Sequence, residues 1–454
     1  MRYYELASQT YHRCNRMISC VGVAMAICAN FSAISTYAEK PQKISTQDRA
    51  LARTMLSDVA DSVRKHYYDA TLRGLDWSGL VNQTKAQIDA APDLATANAE
   101  IEALLEKLND SHTFFVPPRS VDSVDYGWSF QVIGNRCYVT RVKDGSDAAR
   151  QGLKPGDEVF TINGFTVERA SWIRLQYALY NISPRPVLHL VTRDLAGKVH
   201  KLDVQSVVRP LTHVPYAAEI QRWREKVSFE ESTDELSPEI KDLGPELLVV
   251  KLRSFVQLGG DVDSVIKKAQ GHNALILDLR GNNWGQEDSV MRYLHDVLPK
   301  EAKVADVIAR EKPHTLTVKP NPRASYQGKM IVLVDSRSAS AAEIFARTVQ
   351  LQGRAKILGD VTSGNTMEAD YDGFVDQGPQ STVYGVSVSV GDLIMPDGHS
   401  LEGVGVTPDE LLLPTPEDLA KGRDSVMAQA VTSAGVALTP EMAGKLFLKN
   451  SAPH

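Results

Sequence analysis

The segment 330–343, with the sequence MIVLVDSRSASAAE, places a serine where nucleophilic chemistry is possible. Its first six residues are nearly all apolar and β-favouring, which predicts a strand buried on both faces, as in a parallel sheet. A serine-rich turn follows, and strong helix formers from Ala341 onward predict a helix. Ser340 would therefore stand at the positive end of a helix dipole, beside free backbone N–H groups that can hold a developing oxyanion.

A structural role accounts for the same serines. Ser338 or Ser340 can act as an N-cap, and Glu343 stands three residues after Ser340, where it would close a capping box. Taken alone, this segment favours a helix-capping role for these serines. The interpretation of Ser340 as a nucleophile depends on motifs elsewhere in the chain.

Two other regions of the chain have clear periodicity. Residues 45–117 predict a helical region, because apolar residues recur every four positions from Leu51 to Val63 and further helices are predicted over 77–88 and 96–108. From residue 246 to about 415, strand and helix patterns alternate, which predicts right-handed crossovers and a mainly parallel sheet. Within it, alternation over 383–390 predicts an edge strand with one face in water.

Residues 120–208 predict a β-rich module. A short strand is followed by a small-residue helix that ends in Gly152-Leu153, then a Pro-Gly-Asp turn, another strand and an Asn-Gly turn. This order resembles a PDZ domain, which binds an extended peptide by adding a strand to a sheet edge. The resemblance implies a peptide-binding loop formed by Gly127, Trp128, Ser129 and Phe130. The alternative is a β-module that only packs against the rest of the chain.

Four short motifs carry a wider resemblance. They are DSHT at 110–113, DLRGN at 278–282, SASAAE at 338–343 and LEGVGV at 401–406. In this order, with the PDZ-like module between the first two, they resemble the superfamily of C-terminal processing peptidases, tricorn-core proteases and interphotoreceptor-retinoid-binding-protein-like domains. The resemblance implies an α/β core, mainly a parallel sheet with crotonase-like ββα units, plus an N-terminal helical bundle and an inserted PDZ-like β domain.

The superfamily has two catalytic variants, and the sequence distinguishes them. In the C-terminal processing peptidases the base is a lysine in a Gly-Lys-Gly loop, and that position here is Asn365, whose amide cannot accept a proton from a serine at neutral pH. The assisting aspartate of that variant falls on Leu351. The Ser–Lys dyad is therefore absent.

The tricorn-like variant fits the residues that are present. The resemblance implies that Ser340 is the nucleophile and that His112 is the general base. It further implies that Ser111 orients His112 and that Glu402 holds Ser111 or the imidazolium. The oxyanion would be held by the backbone N–H of Ala341 and by a second one from Trp284 or Gly285, in a loop where Trp284 replaces a family glycine.

Simpler roles remain open for several of these residues. His112 can be a helix C-cap and Glu402 a surface carboxylate. His399, three residues before Glu402, is a rival base. Arg280 is interpreted as structural, with Asp278 as its partner.

Composition limits the class of protein. The chain has 454 residues with a formal net charge of −6, and it has no basic block, so nucleic acid is not expected as a partner. Residues 1–38 predict a cleaved signal peptide, with a membrane anchor over 17–34 as the alternative. After cleavage only Cys137 remains, which excludes internal disulfides. The histidines have no zinc-ligand spacing, and neither a metal nor a cofactor is expected.

These observations predict a periplasmic or secreted serine endopeptidase that acts on polypeptides, including C-terminal segments, without stable membrane insertion unless the N-terminal segment is retained. One alternative is an inactive protease-like scaffold that binds peptides, and another is a binder of apolar ligands. The predicted organisation comprises a signal peptide 1–38, a helical region 45–117, a PDZ-like domain 120–208, a linker 209–245 with a short helix near 220–227, an α/β protease core 246–415 and a helical tail 416–454.

Overall fold

The computed structural model describes residues 44–118, 122–210, 237–256, 261–321, 325–376 and 382–447. The predicted signal peptide and the predicted short helix near 220–227 lie outside these residues. Within the described ranges, no helix has both the length and the apolar character needed to cross a bilayer.

The α-helices of the described residues are α1 (Thr46–His66), α2 (Trp77–Ala90), α3 (Leu94–Leu105), α4 (Asp147–Arg150), α5 (Trp172–Tyr177), α6 (Asp261–Ala269), α7 (Glu287–Val297), α8 (Ala341–Leu351), α9 (Pro416–Lys421), α10 (Ser425–Ser433) and α11 (Pro440–Ala443). The strands are β1 (Phe114–Val116), β2 (Asp122–Asp125), β3 (Trp128–Ile133), β4 (Arg136–Val142), β5 (Glu158–Ile162), β6 (Phe165–Thr166), β7 (Val187–Arg193), β8 (Val199–Gln205), β9 (Val207–Pro210), β10 (Glu239–Asp242), β11 (Leu247–Lys251), β12 (Ala274–Asp278), β13 (Ala302–Ala309), β14 (His314–Val318), β15 (Lys329–Val334), β16 (Lys356–Gly359), β17 (Glu368–Asp376), β18 (Thr382–Ile394) and β19 (Glu410–Leu411).

The N-terminal helices α1 to α3 form where the periodicity predicts them. Each begins after a residue whose side chain accepts a hydrogen bond from the first turn: Ser45, Asp76 and Asp93. The apolar face of α1, which includes Met55 and Val59, is buried in one cluster with residues of β18. The helical region therefore packs on the sheet that contains β18.

The PDZ-like module is a six-stranded sheet in the order β3-β4-β5-β7-β8, with β6 paired to β5. Strands β2 and β9 pair with each other where the chain enters and leaves the module. Its core includes Trp128, Phe130, Cys137 and Trp172. The module presents β3 at one edge of its sheet, and helix α5 contributes to the same core.

The predicted parallel sheet is confirmed. Its order is β10-β11-β12-β15-β16-β19, and all pairs are parallel except β10 with β11. Successive residues of β11 belong to opposite cores, since Leu248 joins the cluster that contains α6 to α8 and Leu247 joins the cluster that contains α10. Both faces are covered, which explains the continuous apolar runs in the sequence.

The prediction of an edge strand over 383–390 is wrong. Strand β18 lies inside a second, antiparallel sheet, where it pairs with β17 along one side and with β1 and β13 along the other. Its alternating serines face protein rather than water, because Ser387 and Ser389 are both 0% exposed. The Ser389 hydroxyl donates to the carboxylate of Asp110 at 2.6 Å, so buried polar partners replace the solvent that the alternation suggested.

Candidate active site

Ser340 has an unusual backbone conformation at the start of α8. Its φ of 53° and ψ of −116° place a non-glycine residue in a region that L-amino acids seldom adopt. Its N–H donates to the carbonyl of Asn365 at 2.7 Å and to the Glu343 carboxylate at 3.0 Å. Local strain of this kind is typical of functional sites, and here two acceptors hold the residue in place.

The neighbouring Ser338 has a structural role. Its hydroxyl donates to the carbonyl of Leu279 at 2.8 Å and accepts from the Asp335 N–H at 3.0 Å, and the residue is fully buried. Ser338 therefore closes the turn that follows β15. Of the two serines, Ser340 is the one that is only half-buried.

Glu343 anchors the segment around Ser340. The buried carboxylate accepts four hydrogen bonds, from the Thr362 hydroxyl at 2.5 Å and from the N–H groups of Gly364 at 2.7 Å, Asn365 at 2.9 Å and Ser340 at 3.0 Å. Burial raises the pKa of Glu343 to about 7, while the four donors favour its charged form. The capping residue expected from the sequence thus joins α8 to the loop 362–365.

Replacing Glu343 by Leu is expected to lower the free energy of unfolding by about 3–5 kcal/mol, because four donors lose their acceptor inside the protein. Urea denaturation measures the change. Glu417, an exposed carboxylate in the first turn of α9, provides the matched control. Glu417→Leu is expected to change the stability by less than about 1 kcal/mol, and equal losses in the two variants would contradict the role assigned to Glu343.

A hydrogen-bonded chain connects Glu402, Ser111 and His112. The Glu402 carboxylate accepts from the Ser111 N–H at 2.7 Å, the Ser111 hydroxyl at 2.9 Å and the Thr366 N–H at 2.9 Å. The Ser111 Oγ lies 2.7 Å from Nδ1 of His112. Because a carboxylate only accepts, the Ser111 proton points to Glu402, and Ser111 Oγ then accepts from Nδ1–H. The tautomer of His112 that results has an unprotonated Nε2.

Burial keeps His112 neutral. It lowers the pKa of His112 to about 4 from its usual 6.5, against an opposing effect of the nearby Asp110 carboxylate. Burial also raises the pKa of Glu402, while its three hydrogen-bond donors oppose that shift. At neutral pH, His112 is therefore an uncharged imidazole that can accept a proton.

Asp110 shapes the loop that carries His112. Its Oδ1 accepts from the N–H groups of His112 at 3.0 Å and Thr113 at 2.7 Å, and its Oδ2 accepts from the Tyr67 hydroxyl at 2.9 Å. These bonds fix the turn directly after the 3-10 turn Glu106–Leu108. Asp110 begins the DSHT motif, and its role in the loop was not predicted from the sequence. The available signal was an Asp that precedes loop N–H groups by two and three residues, where its carboxylate can accept from them.

The loop 365–366 connects the histidine to the serine. Asn365 accepts from the Ser340 N–H, and the adjacent Thr366 donates to Glu402. Within the described residues, the His112 ring and the Ser340 hydroxyl form no direct hydrogen bond, and Nδ1 is the ring nitrogen of His112 that has a partner. Nothing in the sequence identified Thr366, because it contributes a backbone N–H rather than a side chain.

Among the described residues, the backbone N–H groups of Ala341, Trp284 and Gly285 have no acceptor, and Ala341 is the first residue of α8. The Ala339 N–H donates to the Asn282 carbonyl at 2.9 Å, which joins the loop after β12 to the nucleophile turn. Gly285 is required by close packing, since a Cβ there would lie 2.3 Å from Cβ of Phe255. The indole Nε1 of Trp284 is also buried without a partner.

The other candidates lie in different surroundings. His399 is exposed in the turn after β18, beside the ion pair of Arg347 with Asp397. Arg280 donates to the carboxylates of Asp278 and Asp424, each at 2.8 Å, so it joins the end of β12 to α10. This structural pairing agrees with the interpretation of Arg280 from the sequence.

The edge strand β3 of the PDZ-like module contacts the turn that precedes Ser340. Arg337 donates to the carbonyl of Phe130 at 2.5 Å, and the Gln131 amide donates to the Asp335 carboxylate at 2.8 Å. Gly127 has a φ of 70°, as a tight turn before β3 requires. Since Trp128 and Phe130 are buried in the module, only their backbone is available to a ligand.

Helix α5 of the module contacts the histidine loop. Arg174 donates to the carbonyl of Asp110 at 2.9 Å, and the Tyr177 hydroxyl donates to the carbonyl of Phe115 at 2.6 Å. The PDZ-like module therefore touches both the loop of the candidate base and the turn of the candidate nucleophile. The sequence did not indicate either contact.

A cavity of about 920 Å³ lies between the module, the carboxyl ends of the parallel strands and the C-terminal helices. Ser129 and Gln131 line it from β3, and Lys251, Arg280 and Arg337 line it from the core. Its wall thus combines apolar surface with several cationic side chains and a smaller number of carboxylates. Of the predicted peptide-binding residues, Ser129 is the one whose position lines this cavity.

Comparison with known proteins agrees with this architecture. Residues 246–412 match the model of peptidase family S41, and residues 121–193 match the model of the PDZ domain. The chain is 24% identical to carboxyl-terminal-processing peptidase 3, chloroplastic, of Arabidopsis thaliana over 363 residues, which cover 76% of this chain and 66% of that protein. It is 23% identical to a probable CtpA-like serine protease of Staphylococcus aureus (strain COL) over 330 residues, which cover 69% of this chain and 59% of that protein.

A solved structure of mature CPAF complexed with lactacystin superimposes with a TM-score of 0.63 at 14% sequence identity, covering 88% of this chain and 99% of that one. This likeness concerns the fold alone. Together, the matches show that residues 246–412 are similar to a family S41 peptidase domain and residues 121–193 to a PDZ domain. In these regions the chain is similar to C-terminal processing peptidases. It spans less than two thirds of the length of the two curated relatives named above.

Proposed function

We propose that this protein is a serine endopeptidase that hydrolyses extracytoplasmic polypeptides, with Ser340 as nucleophile and His112 as general base. The observation that carries the proposal is the hydrogen-bonded chain from Glu402 through Ser111 to His112. It leaves Nε2 of a neutral imidazole as a free acceptor, which is what proton removal from a serine requires.

Each proton has an assigned place in the proposed reaction. Nε2 of His112 takes the proton of the Ser340 hydroxyl while Oγ attacks the scissile carbonyl carbon. The N–H groups of Ala341 and of Gly285 or Trp284 hold the oxyanion. The imidazolium then protonates the leaving amine, and His112 removes a proton from the water that hydrolyses the acyl-enzyme. Substrate binding would bring His112 and Ser340 into hydrogen-bond contact, as such contacts tighten in catalytic complexes.

The PDZ-like module would present the substrate. Its edge strand β3 and the cavity beside it adjoin the turn of Ser340. A wall that combines apolar surface with cationic side chains suits an extended peptide or a terminal carboxylate. We infer that Gly127, Trp128, Ser129 and Phe130 contribute backbone groups and one hydroxyl to this contact. Unstructured and C-terminal segments are the expected substrates, and the predicted signal peptide implies a periplasmic or secreted location.

Digestion of an unfolded polypeptide, with the products identified by mass spectrometry, tests this function. The wild-type protein is expected to generate peptides and Ser340→Ala is expected to generate none, although it still binds the substrate. The rival proposal, an inactive peptide-binding scaffold, predicts equal binding by both proteins and no products from either. Product formation that survives Ser340→Ala would contradict the assignment of the nucleophile.

The acid limit of activity is expected at an unusually low pH. Because burial lowers the pKa of His112 to about 4, the base stays unprotonated from pH 7 down to about pH 5. The value of kcat/KM should fall only as the pH drops through about 4, and circular dichroism at each pH controls for unfolding. An acid limb with its midpoint at the ordinary histidine pKa, about 6.5, would contradict the buried environment of this base.

A further inference from the structure

Three side chains of the kinds that bind metals meet at a place where the sequence gave no metal motif. Glu287, His314 and Glu368 are the first residues of α7, β14 and β17. One ligand atom from each lies within 4.8 Å of the other two. Because the three residues come from three separate elements, the fold and not sequence proximity brings them together.

The second sheet makes room for this cluster. Glu368 pairs with Gly391 of β18 at a β-bulge, and a Cβ on Gly391 would lie 2.8 Å from the Glu368 carboxylate. Because Gly391 has no side chain, the Glu368 carboxylate can lie across β18 toward β13. Val307 of β13 pairs in turn with His314 of β14. The register of β17, β18, β13 and β14 therefore places Glu368 close to His314.

The two carboxylates of the cluster lie close to each other and to one imidazole. Within the described part of the chain, no lysine or arginine forms an ion pair with Glu287 or Glu368. Two carboxylates this close require a shared proton or a cation.

His314 is in the tautomer that a metal ligand needs. Its Nδ1 lies 3.0 Å from the carbonyl of Lys312, which can only accept, so Nδ1 carries the hydrogen. In the neutral imidazole, Nε2 then keeps its lone pair. Histidines that bind metals generally donate their other ring N–H to a carbonyl or carboxylate in this way. The hydrogen bond to Lys312 involves no other member of the cluster. It is therefore a separate indication that His314 can bind a metal ion.

We propose that Glu287, His314 and Glu368 bind a divalent first-row transition metal such as Zn²⁺. One imidazole nitrogen with two carboxylate oxygens is a donor set that these ions accept, whereas Mg²⁺ and Ca²⁺ prefer oxygen ligands throughout. Metal–ligand bonds of about 2.0–2.2 Å require the ligand atoms to approach to about 3–3.5 Å, a small closure for exposed side chains. Water would complete the coordination, since Glu287 and His314 are exposed.

A metal here would join two loops of the candidate active site. Glu287 follows Gly285 by two residues, and Glu368 follows Thr366 by two residues. A bound ion would therefore hold together the segments that offer the Gly285 N–H and the Thr366 N–H. The binding site itself does not depend on the proposed peptidase activity.

Calorimetric titration of the full chain with Zn²⁺ tests the proposal. The wild-type protein is expected to take up one Zn²⁺ with a micromolar Kd, and the double variant Glu287→Gln/His314→Gln is expected to bind it at least about 100-fold more weakly. His189→Gln, which removes a half-exposed histidine beside Asp203 in the PDZ-like module, is the matched control and should keep the site. Mg²⁺ should give no binding at the same concentrations.

Thermal unfolding provides a second measurement that does not depend on calorimetric heats. At 100 times its Kd, Zn²⁺ should raise the Tm of the wild-type protein by roughly 5 °C and leave that of the double variant unchanged. Without metal, equal Tm values for the two proteins would establish that the double variant folds. If both proteins take up the same number of Zn²⁺ equivalents with the same affinity, the proposal is overturned and the cluster is a carboxyl pair that shares a proton.

Discussion

Replacing Ser340 by Ala is expected to reduce kcat/KM for peptide hydrolysis by about 10⁴-fold or more, a loss of at least about 5.5 kcal/mol of transition-state stabilisation. The physical reason is that the Ala side chain offers no oxygen to attack the carbonyl, while the oxyanion donors and the substrate contacts remain. The KM for an unfolded substrate should change little. Steady-state kinetics with a fluorogenic peptide derived from an identified cleavage site measures both constants.

A nearby serine provides the control for this substitution. Ser363 has a buried hydroxyl that finds no hydrogen-bond partner among the described residues, and its N–H donates to the carbonyl of Ser338 at 2.9 Å. Ser363→Ala removes the same atom from the same region and is expected to change kcat/KM by less than about threefold. Equal losses in the two variants would mean that the region is sensitive to any change and that Ser340 has no special role.

Replacing His112 by Ala is expected to reduce kcat by about 10⁴-fold or more with little effect on KM, because the variant loses the acceptor of the Ser340 proton and the donor to the leaving amine. The acid limb near pH 4 should disappear from the residual activity, since the group that causes it is gone. Kinetics at a series of pH values measures both effects.

His399→Ala tests the rival base under the same conditions. His399 is exposed and adjoins the ion pair of Arg347 with Asp397, so its replacement is expected to change kcat by less than about threefold. A large loss in His399→Ala together with a small one in His112→Ala would transfer the role of general base to the later histidine.

The strand and helix on either side of Ser340 could be predicted because their signals are local. A continuous apolar run followed by helix formers specifies a buried strand and a helix, and β15 and α8 lie within one residue of the expected positions. The first turn of α1 and its apolar face could be predicted for the same reason. Such patterns depend on the side-chain period of each element and need no knowledge of distant contacts.

The second sheet could not be predicted in the same way. Alternating Val and Ser residues in β18 suggested a face in water, but Ser389 instead contacts Asp110 and Thr113, which are more than 270 residues away in sequence. Strand β14 is short and β17 is polar, and the pairing of both with their neighbours depends on partners that the sequence pattern does not identify. The Glu287–His314–Glu368 cluster was missed for the same reason, because it depends on the register of four strands.

The candidate site was accessible from the sequence only through the resemblance to a known superfamily. Single residues such as His112 or Glu402 have common structural roles, and no spacing along the chain relates them. The structure brings Glu402, Ser111 and His112 together through hydrogen bonds between segments about 290 residues apart. The contribution of Thr366 and the contacts of Arg174 and Arg337 involve backbone groups, which leave no signature in side-chain type.

The rate at which a fluorophosphonate modifies Ser340 tests the pairing of this serine with His112 most directly. Formation of the phosphorus–oxygen bond expels fluoride and requires removal of the hydroxyl proton, but it needs neither substrate presentation nor deacylation. Intact mass measurements at pH 7 should show one adduct on the wild-type protein, located at Ser340, and modification at least about 100-fold slower in His112→Ala. Equal rates in the two proteins, or an adduct at another serine, would contradict the account.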